Sequence, residues 1–165
     1  MNRTRNELHV SLWVDVPPDG VPAEREFADW CNAAWLGDEP AEVSIKVVGE
    51  AESAELNTTY RHKTGATNVL SFPMGAMGEG AGPRLLGDLA ICAPVVLAEA
   101  DAQGKPPSAH WAHMVVHGML HLQGYDHIRE DEAACMERLE VEIMAGLGYN
   151  DPYNHPKNDA PGITS

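Results

Sequence analysis

The segment HGMLHLQGYDH, residues 117–127, is the most informative stretch of this sequence. His117 and His121 are four residues apart, so on a helix they project from the same face, one turn apart. Gly124 predicts the end of that helix, because glycine readily adopts the left-handed conformation that turns the chain back. His127 follows this bend and can return as a third ligand. Three imidazoles in this arrangement predict a metal site at the end of a helix.

The type of ligand indicates what such a metal would do. Three neutral imidazoles add no charge, so a bound Zn²⁺ keeps its full positive charge and an open fourth position for water. An open position is typical of catalytic zinc, because structural zinc sites are closed by four protein ligands. Imidazole alone does not separate zinc from nickel, copper or iron. The alternative interpretation is a histidine-rich helix end that is simply solvated.

The spacing H-x-x-x-H-x-x-G-x-x-H is shared with the metzincin proteases, which carry their general base, a glutamate, directly after the first histidine. Here that position is Gly118, so a peptidase would lack its base. The missing glutamate is a smaller obstacle to phosphodiester hydrolysis, because that reaction needs a Lewis acid, an activated water and a counter-charge for an anionic transition state. The pattern therefore favours a phosphodiesterase and leaves a metzincin-like protease as an alternative.

Further polar residues surround this segment. His110 and His113 lie seven and four residues before His117, so they can share its helix face. There they could orient the metal ligands, contact RNA, or be partly buried helix residues. Asp126, next to His127, is a candidate for accepting the second N–H of a ligand imidazole or for capping the turn.

Hydrophobic patterning over the rest of the chain predicts one α+β domain. Strands come early and in the middle, with helices between them and a helical final third. This order predicts a mixed sheet of about four strands packed by several helices, with the metal site at the end of the long histidine-bearing helix. We expect the domain to span residues 1–150 and residues 151–165, rich in Pro, Asn and Asp, to form a flexible tail. The predicted strands are 7–14, 42–48, 68–72 and 85–92, and the predicted helices are 22–36, 50–60, 94–103, 107–123 and 130–147.

Composition excludes several classes of protein. Of the 165 residues, 44% are hydrophobic and 22% are charged, which is typical of a folded domain and not of a disordered chain. The longest apolar run, residues 89–98, is interrupted by Pro94, so we expect no membrane span. The first ten residues contain no apolar signal-peptide core, so we expect a cytoplasmic protein. The three scattered cysteines form no C-x-x-C pair and predict neither a disulfide framework nor a thiolate zinc site.

The charge balance limits any nucleic-acid interface. Lys and Arg total 11 against 25 Asp and Glu, a formal net charge of −14. Such a surface repels phosphate backbones and anionic lipid at long range. Nucleic acid can therefore bind only through a local positive site.

Three blocks together resemble the YbeY family of bacterial rRNA maturation factors and endoribonucleases. They are the histidine segment with HWAHMVV before it (residues 110–116), YRHKTGATNVLSFP (60–73) and LLGDLAIC (85–92). The resemblance covers about residues 40–153. It implies a cytoplasmic, single-strand-specific endoribonuclease with one Zn²⁺ per chain. The implied partners are the 3′ end of small-subunit rRNA, the small subunit itself and assembly proteins, with no membrane and no DNA.

The resemblance also implies residue roles. The zinc ligands would be His117, His121 and His127, and the family's essential arginine matches Arg61. A guanidinium binds phosphate through two parallel hydrogen bonds, so Arg61 can hold a phosphate beside the metal. The catalytic residues would then be Arg61 and His117. His113 and Asp126 would be candidates for orienting the ligand imidazoles. The candidate substrate-binding patch comprises Arg61, His62, Lys63 and Arg84.

Several alternatives stay open at this point. Either a zinc-bound water or a ribose 2′-hydroxyl could attack, and His113 and Asp126 are only weak candidates for the general base. A non-catalytic ribosome-assembly factor with a structural metal is also compatible with the sequence. Because a chain of net charge −14 should bind free RNA weakly, we expect docking on the ribosome or on a protein partner to supply much of the affinity.

Overall fold

The computed structural model describes residues 8–74, 84–125 and 130–153. Ten elements follow one another along these residues, strands and helices interleaved. They are β1 (Leu8–Val14), α1 (Glu24–Ala34), β2 (Ala41–Val48), α2 (Glu50–Leu56), a π-helical turn (Asn57–Arg61), β3 (Val69–Pro73), β4 (Arg84–Cys92), α3 (Ala93–Gln103), α4 (Pro107–Leu122) and α5 (Glu130–Gly146).

The four strands form one mixed sheet in the order β1-β2-β4-β3. β1 pairs parallel with β2, β2 pairs parallel with β4, and β3 returns antiparallel to β4. The β2–β4 register shifts between Glu42 and Val43. The prediction of an α+β domain with a mixed sheet of about four strands is therefore confirmed.

The two faces of the sheet are covered differently. Side chains alternate between faces along a strand, and Val43, Ile45 and Val47 of β2 point into a core shared with α1 and α4. In that core Phe27 and Trp111 meet edge to face with ring centroids 5.8 Å apart. The opposite face carries the intervening polar side chains and is covered in part by α2 and the π-turn. One face is thus closed, whereas the other retains a groove.

Helix α4 is the central element of the closed face, where it contacts β3, β4, α1, α3 and α5. Pro107 occupies its first turn, where a missing N–H costs nothing. Gly118 allows a close approach to the sheet, because a Cβ there would lie 2.7 Å from Cδ2 of Leu89. At the far end, Gln123 donates to the carbonyl of Ala34 at 2.8 Å and ties α4 to the end of α1.

The predicted elements agree with the observed ones within two residues at nearly every boundary. The exception is the helix predicted over 50–60, which is an α-helix only to Leu56 and then widens into the π-turn. Gly124 has a φ of 101°, as the sequence predicts for the residue that reverses the chain. No helix within the described residues is long and apolar enough to cross a membrane.

The boundary that the sequence places at residue 150 falls inside a packed segment. Pro152 is buried, and its carbonyl accepts a hydrogen bond from Nζ of Lys105. Tyr153 reaches the side chain of Glu140. The rest of the expected tail, residues 154–165, lies outside the described part of the chain.

Candidate active site

A cleft of about 1000 Å³ runs along β3, between the π-turn on one side and the end of α4 on the other. From α4 it receives His117 and His121, and from the π-turn and the loop after it Arg61 and Lys63. The structure thus brings together four of the residues singled out in the sequence, from segments more than fifty positions apart.

The two cleft histidines face each other through their ring nitrogens. The Nε2 atoms of His117 and His121 are 3.1 Å apart, and the rings are nearly perpendicular at 80°. Two nitrogen ligands at about 2.0–2.1 Å from a tetrahedral ion lie roughly 3.3 Å from each other. The pair therefore fits a shared metal ion with little adjustment.

Behind these rings lies Glu140 of α5, a carboxylate that is fully buried. Its Oε2 is 2.6 Å from Nδ1 of His117, and its Oε1 is 2.9 Å from Nε2 of His113. Tyr153 donates its hydroxyl to the same Oε1. Burial by itself would raise the pKa of Glu140, but the hydrogen bonds from His113 and His117 outweigh it and lower the pKa to about 2.

The ionised state of Glu140 determines the tautomers of its partners. A carboxylate only accepts hydrogen bonds, so His117 must carry its proton on Nδ1 and His113 must carry one on Nε2. The Nε2 of a neutral His117 then presents a lone pair toward His121 and the cleft. Burial also lowers the pKa of His113, despite its hydrogen bond to Glu140, which favours the neutral ring. Glu140 therefore selects the His117 tautomer whose Nε2 can act as a metal ligand.

The π-turn determines where the cationic side chains of the cleft lie. Asn57 donates from Nδ2 to the carbonyl of Gly65 at 2.9 Å, and Thr58 donates from Oγ1 to the carbonyl of Lys63 at 3.0 Å. His62 closes the turn in a left-handed conformation with φ of 60°. These bonds hold the loop against the turn, so that Arg61 and Lys63 both reach the cleft. π-helical turns are rare and often occur at functional sites.

The lining of the cleft has an unusual charge for this chain. Of the described residues that line it, two are cationic, two are histidines and none is Asp or Glu. In a sequence with 25 acidic residues among 165, a chance surface of this size would include about two carboxylates. The cleft is thus a local site suited to an anion on an otherwise acidic protein.

Other sequence-based candidates occupy different places. His62 and Arg84 are not among the residues that line the cleft; Arg84 lies 3.7 Å from Glu39 and above the ring of Trp35. His113 is buried behind the cleft on Glu140. Asp126 and His127 lie outside the described residues.

Sequence reasoning missed Glu140 and Tyr153. The sequence pattern places Met136, Leu139, Ile143 and Leu147 on the buried stripe of the helix predicted over 130–147. In the structure Met136, Met144 and Glu140 are the buried residues, and the other three are only partly buried. The sequence signal for Glu140 was its spacing of four residues from both Met136 and Met144, which places it on the same buried helix face. A buried charge requires partners, so this spacing could have indicated a polar cluster.

A second group could also hold a metal. His113, His117 and Glu140 each offer a ligand atom, and these atoms lie within 4.8 Å of one another. The described part of the chain thus offers two overlapping candidate metal positions, one on the cleft side of His117 and one behind it.

Comparisons with known proteins identify the family of this chain. The family model described as Endoribonuclease YbeY matches residues 23–148. The Endoribonuclease YbeY of Methylococcus capsulatus is 61% identical over 133 residues, which cover 81% of this chain and 87% of the relative. The solution structure of a Thermotoga maritima protein aligns with a TM-score of 0.49 at 21% identity, over 89% of this chain and 99% of the other.

The family match over most of the chain shows that this protein is a hydrolase of phosphodiester bonds, specifically an endoribonuclease. The chain belongs to the YbeY family.

Proposed function

We propose that this chain is a zinc-dependent, single-strand-specific endoribonuclease that matures the 3′ end of small-subunit rRNA and takes part in late ribosome quality control in the cytoplasm. The observation that carries the proposal is the cleft itself. It combines Arg61 and Lys63 with the paired Nε2 atoms of His117 and His121, and none of its described lining residues is a carboxylate. Metal-assisted cleavage of an RNA phosphate uses this combination of a metal ligand set and positive counter-charge.

We place the metal on the cleft side of His117, with His117, His121 and His127 as its ligands. The alternative position, among His113, His117 and Glu140, lies behind the ring and next to a fully buried carboxylate, where a substrate could not reach it. A bound Zn²⁺ would supply Lewis-acid catalysis and lower the pKa of a coordinated water. Glu140 would act as the acceptor that orients the ligand ring of His117.

Arg61 is the proposed phosphate-binding residue. Its guanidinium is permanently charged and can form two parallel hydrogen bonds to the non-bridging oxygens of a phosphate. Because negative charge increases on those oxygens in the transition state, Arg61 stabilises the transition state more than the ground state. Lys63, in the same cleft, adds a second positive charge without the planar geometry.

A peptidase is a weaker candidate than a nuclease. Gly118 stands where the related protease motif has its glutamate, and a Cβ at this position would meet Leu89 at 2.7 Å. A longer side chain at that position would therefore have to displace Leu89 from its contact with α4.

The decisive test is Arg61→Ala, compared with Arg25→Ala, which removes an exposed arginine of α1. We expect Arg61→Ala to lower single-stranded RNA cleavage by at least roughly 100-fold, the usual cost of losing one transition-state contact. Folding and zinc content should stay unchanged, and Arg25→Ala should cleave normally. A chelator should abolish wild-type cleavage, and added Zn²⁺ should restore it.

Cleavage by Arg61→Ala at the wild-type rate would refute the role of Arg61. Full activity of a chelator-treated, metal-free protein would refute the zinc dependence. A protein that unfolds on chelation and never cleaves RNA would be a non-catalytic assembly factor with a structural metal.

The ribosomal role has its own test. With a net charge of −14, the chain should bind naked rRNA weakly, so docking on the small subunit should supply much of the affinity. We expect cleavage near the 3′ end to be more efficient on assembled small subunits than on the same rRNA free of protein. Equal efficiency on both substrates would contradict this part of the proposal.

A further inference from the structure

The open face of the sheet carries a second concavity of about 540 Å³, which we call the sheet groove. Its walls are Trp13 of β1 on one side and Leu56 and Tyr60 of α2 and the π-turn on the other. Its floor consists of side chains from β2 and β4, among them Ser44 and Asp88. The described part of the chain places no element over it.

The sheet groove adjoins the active-site cleft. Tyr60 and Phe72 line both concavities. Their rings pack edge to face with centroids 5.3 Å apart, so they form a rigid aromatic boundary between the two. A strand that extends from the cleft over Tyr60 would therefore meet the sheet groove.

Two large aromatic side chains are exposed at this groove. Trp13 is 59% exposed and Tyr60 is 60% exposed, whereas Trp30, Trp35 and Trp111 are each less than 5% exposed. Exposed aromatic rings are the groups on which single-stranded bases stack, because every base has a π-face. Trp13, which faces solvent across the sheet groove from Tyr60, is therefore a candidate surface for base stacking.

The charges of the groove suit bases better than phosphates. Nζ of Lys46 is 2.7 Å from Oε2 of Glu52, so its charge is largely compensated. Asp88 adds a carboxylate to the floor. A phosphate would be repelled here, whereas the amino groups of bases can donate to Asp88 and Ser44.

We propose that the sheet groove is a base-stacking subsite that holds unpaired nucleotides of the same RNA strand whose phosphate lies in the cleft. This proposal rests on the proposed function, because it takes the cleft to be the cleavage site. The strand would pass Tyr60, place one or more bases between Tyr60 and Trp13, and keep its phosphates toward solvent. A double helix could not enter in this way, since its bases are already stacked, so the subsite favours single strands.

Trp13 provides its own reporter, because it is the only exposed one of the four tryptophans. We would mix the zinc-loaded protein with single-stranded oligoadenylate of about 12 nucleotides, within the range of known single-strand sites, and record tryptophan fluorescence before the first turnover. We expect quenching by the single strand and none by a duplex of equal length. Quenching should disappear in Trp13→Phe. Saturated RNA binding without quenching would overturn the proposal.

A second measurement compares substrates of different length. We expect the wild-type kcat/KM to be higher for the longer oligonucleotide than for one of about four nucleotides, and Trp13→Ala to reduce that ratio roughly five- to 100-fold, mainly through KM. Leu36→Ala, which truncates an exposed apolar side chain that lines neither concavity, is the matched control and should keep the wild-type ratio.

The outcomes separate this proposal from the proposed function. If the wild-type protein cleaves RNA and Trp13→Ala keeps the wild-type ratio, the subsite is wrong and the nuclease function stands. If the wild-type protein does not cleave RNA, the proposed function fails, and the fluorescence titration still decides whether bases bind at Trp13. If Trp13→Ala cleaves free oligonucleotides normally but binds assembled small subunits more weakly, the groove holds a protein partner and the proposal is overturned.

Discussion

Two carboxylates accept hydrogen bonds from histidines of α4, and they differ in what lies beyond those histidines. Glu99 of α3 is partly exposed and is 2.8 Å from Nε2 of His110. Glu140 is fully buried and accepts from both His113 and His117. Hydrogen bonding outweighs burial and lowers the pKa of both carboxylates, so both are ionised acceptors.

The second ring nitrogens of these histidines make the difference. Nδ1 of His110 and Nδ1 of His113 are buried and have no hydrogen-bond partner among the described residues. Nε2 of His117, by contrast, faces His121 at the cleft. The same pair of residue types thus stabilises the fold at one end of α4 and prepares a candidate ligand at the other.

The largest expected effect separates the two possible metal positions. We expect His121→Ala to lower zinc affinity by more than the roughly 100-fold that loss of an outer hydrogen-bond partner can cost, because it removes a direct ligand. His113→Ala should keep most of the affinity. Competitive zinc titration of the two variants checks this prediction. The opposite ranking would place the ion among His113, His117 and Glu140 instead.

Removal of the two carboxylates tests the comparison directly. Glu140→Ala leaves buried partners without an acceptor, so we expect a loss of about 3–5 kcal/mol in the free energy of unfolding and roughly 10–100-fold in zinc affinity. For Glu99→Ala we expect a loss of about 1–3 kcal/mol in the free energy of unfolding and an unchanged zinc affinity. Denaturant unfolding and zinc titration of both variants provide the measurement. Equal losses of zinc affinity would show that the two pairs do not differ in function.

Acid should destabilise the metal-free protein through Glu140 and the side chains hydrogen-bonded to it, His113, His117 and Tyr153. Glu140 has a pKa of about 2 in the folded state against an ordinary value of 4.5, so the unfolded chain binds more protons between these values. The stabilisation by Glu140 is therefore complete above pH 4.5 and is lost as the pH falls toward 2. The pKa of His113 is also lowered in the folded state, so protonation of the unfolded chain below the ordinary value of 6.5 further reduces the stability of the fold as the pH falls.

Denaturant unfolding at several pH values measures this dependence. Glu140→Gln should flatten the stability curve below pH 4.5, and Glu99→Gln should flatten it less, because Glu99 is less buried. A Glu140→Gln curve that stays parallel to the wild-type curve would contradict the assignment.

The smallest effect concerns the hydroxyl of Tyr153, which donates to Glu140 from beyond the segment matched by the family model. We expect Tyr153→Phe to cost about 1 kcal/mol of unfolding free energy, the net value of one hydrogen bond, and to lower zinc affinity measurably. Tyr149→Phe is the matched control, because within the described residues its hydroxyl makes no hydrogen bond. If both variants lose the same amount, the C-terminal segment contributes packing alone.

Much of the fold could be predicted because its signals are local. Each of β2, α1 and α4 buries one face. Apolar residues therefore recur along the sequence with the period of a strand in β2 and of a helix in α1 and α4. The π-turn was not predictable in the same way, since a single widened turn leaves no periodic pattern. It is stabilised by the contacts of Asn57 with Gly65 and of Thr58 with Lys63.

For the candidate site, the sequence by itself determined that His117 and His121 share one helix face, because their spacing matches one helical turn. The resemblance of residues 60–73 to a known family indicated Arg61. Only the tertiary structure decided that Arg61 and these histidines meet in one cleft, that Arg84 does not join them, and that Glu140 lies behind His117. The physical reason is that these residues lie 23 to 60 positions apart, and packing between elements, not periodicity within one, brings them together.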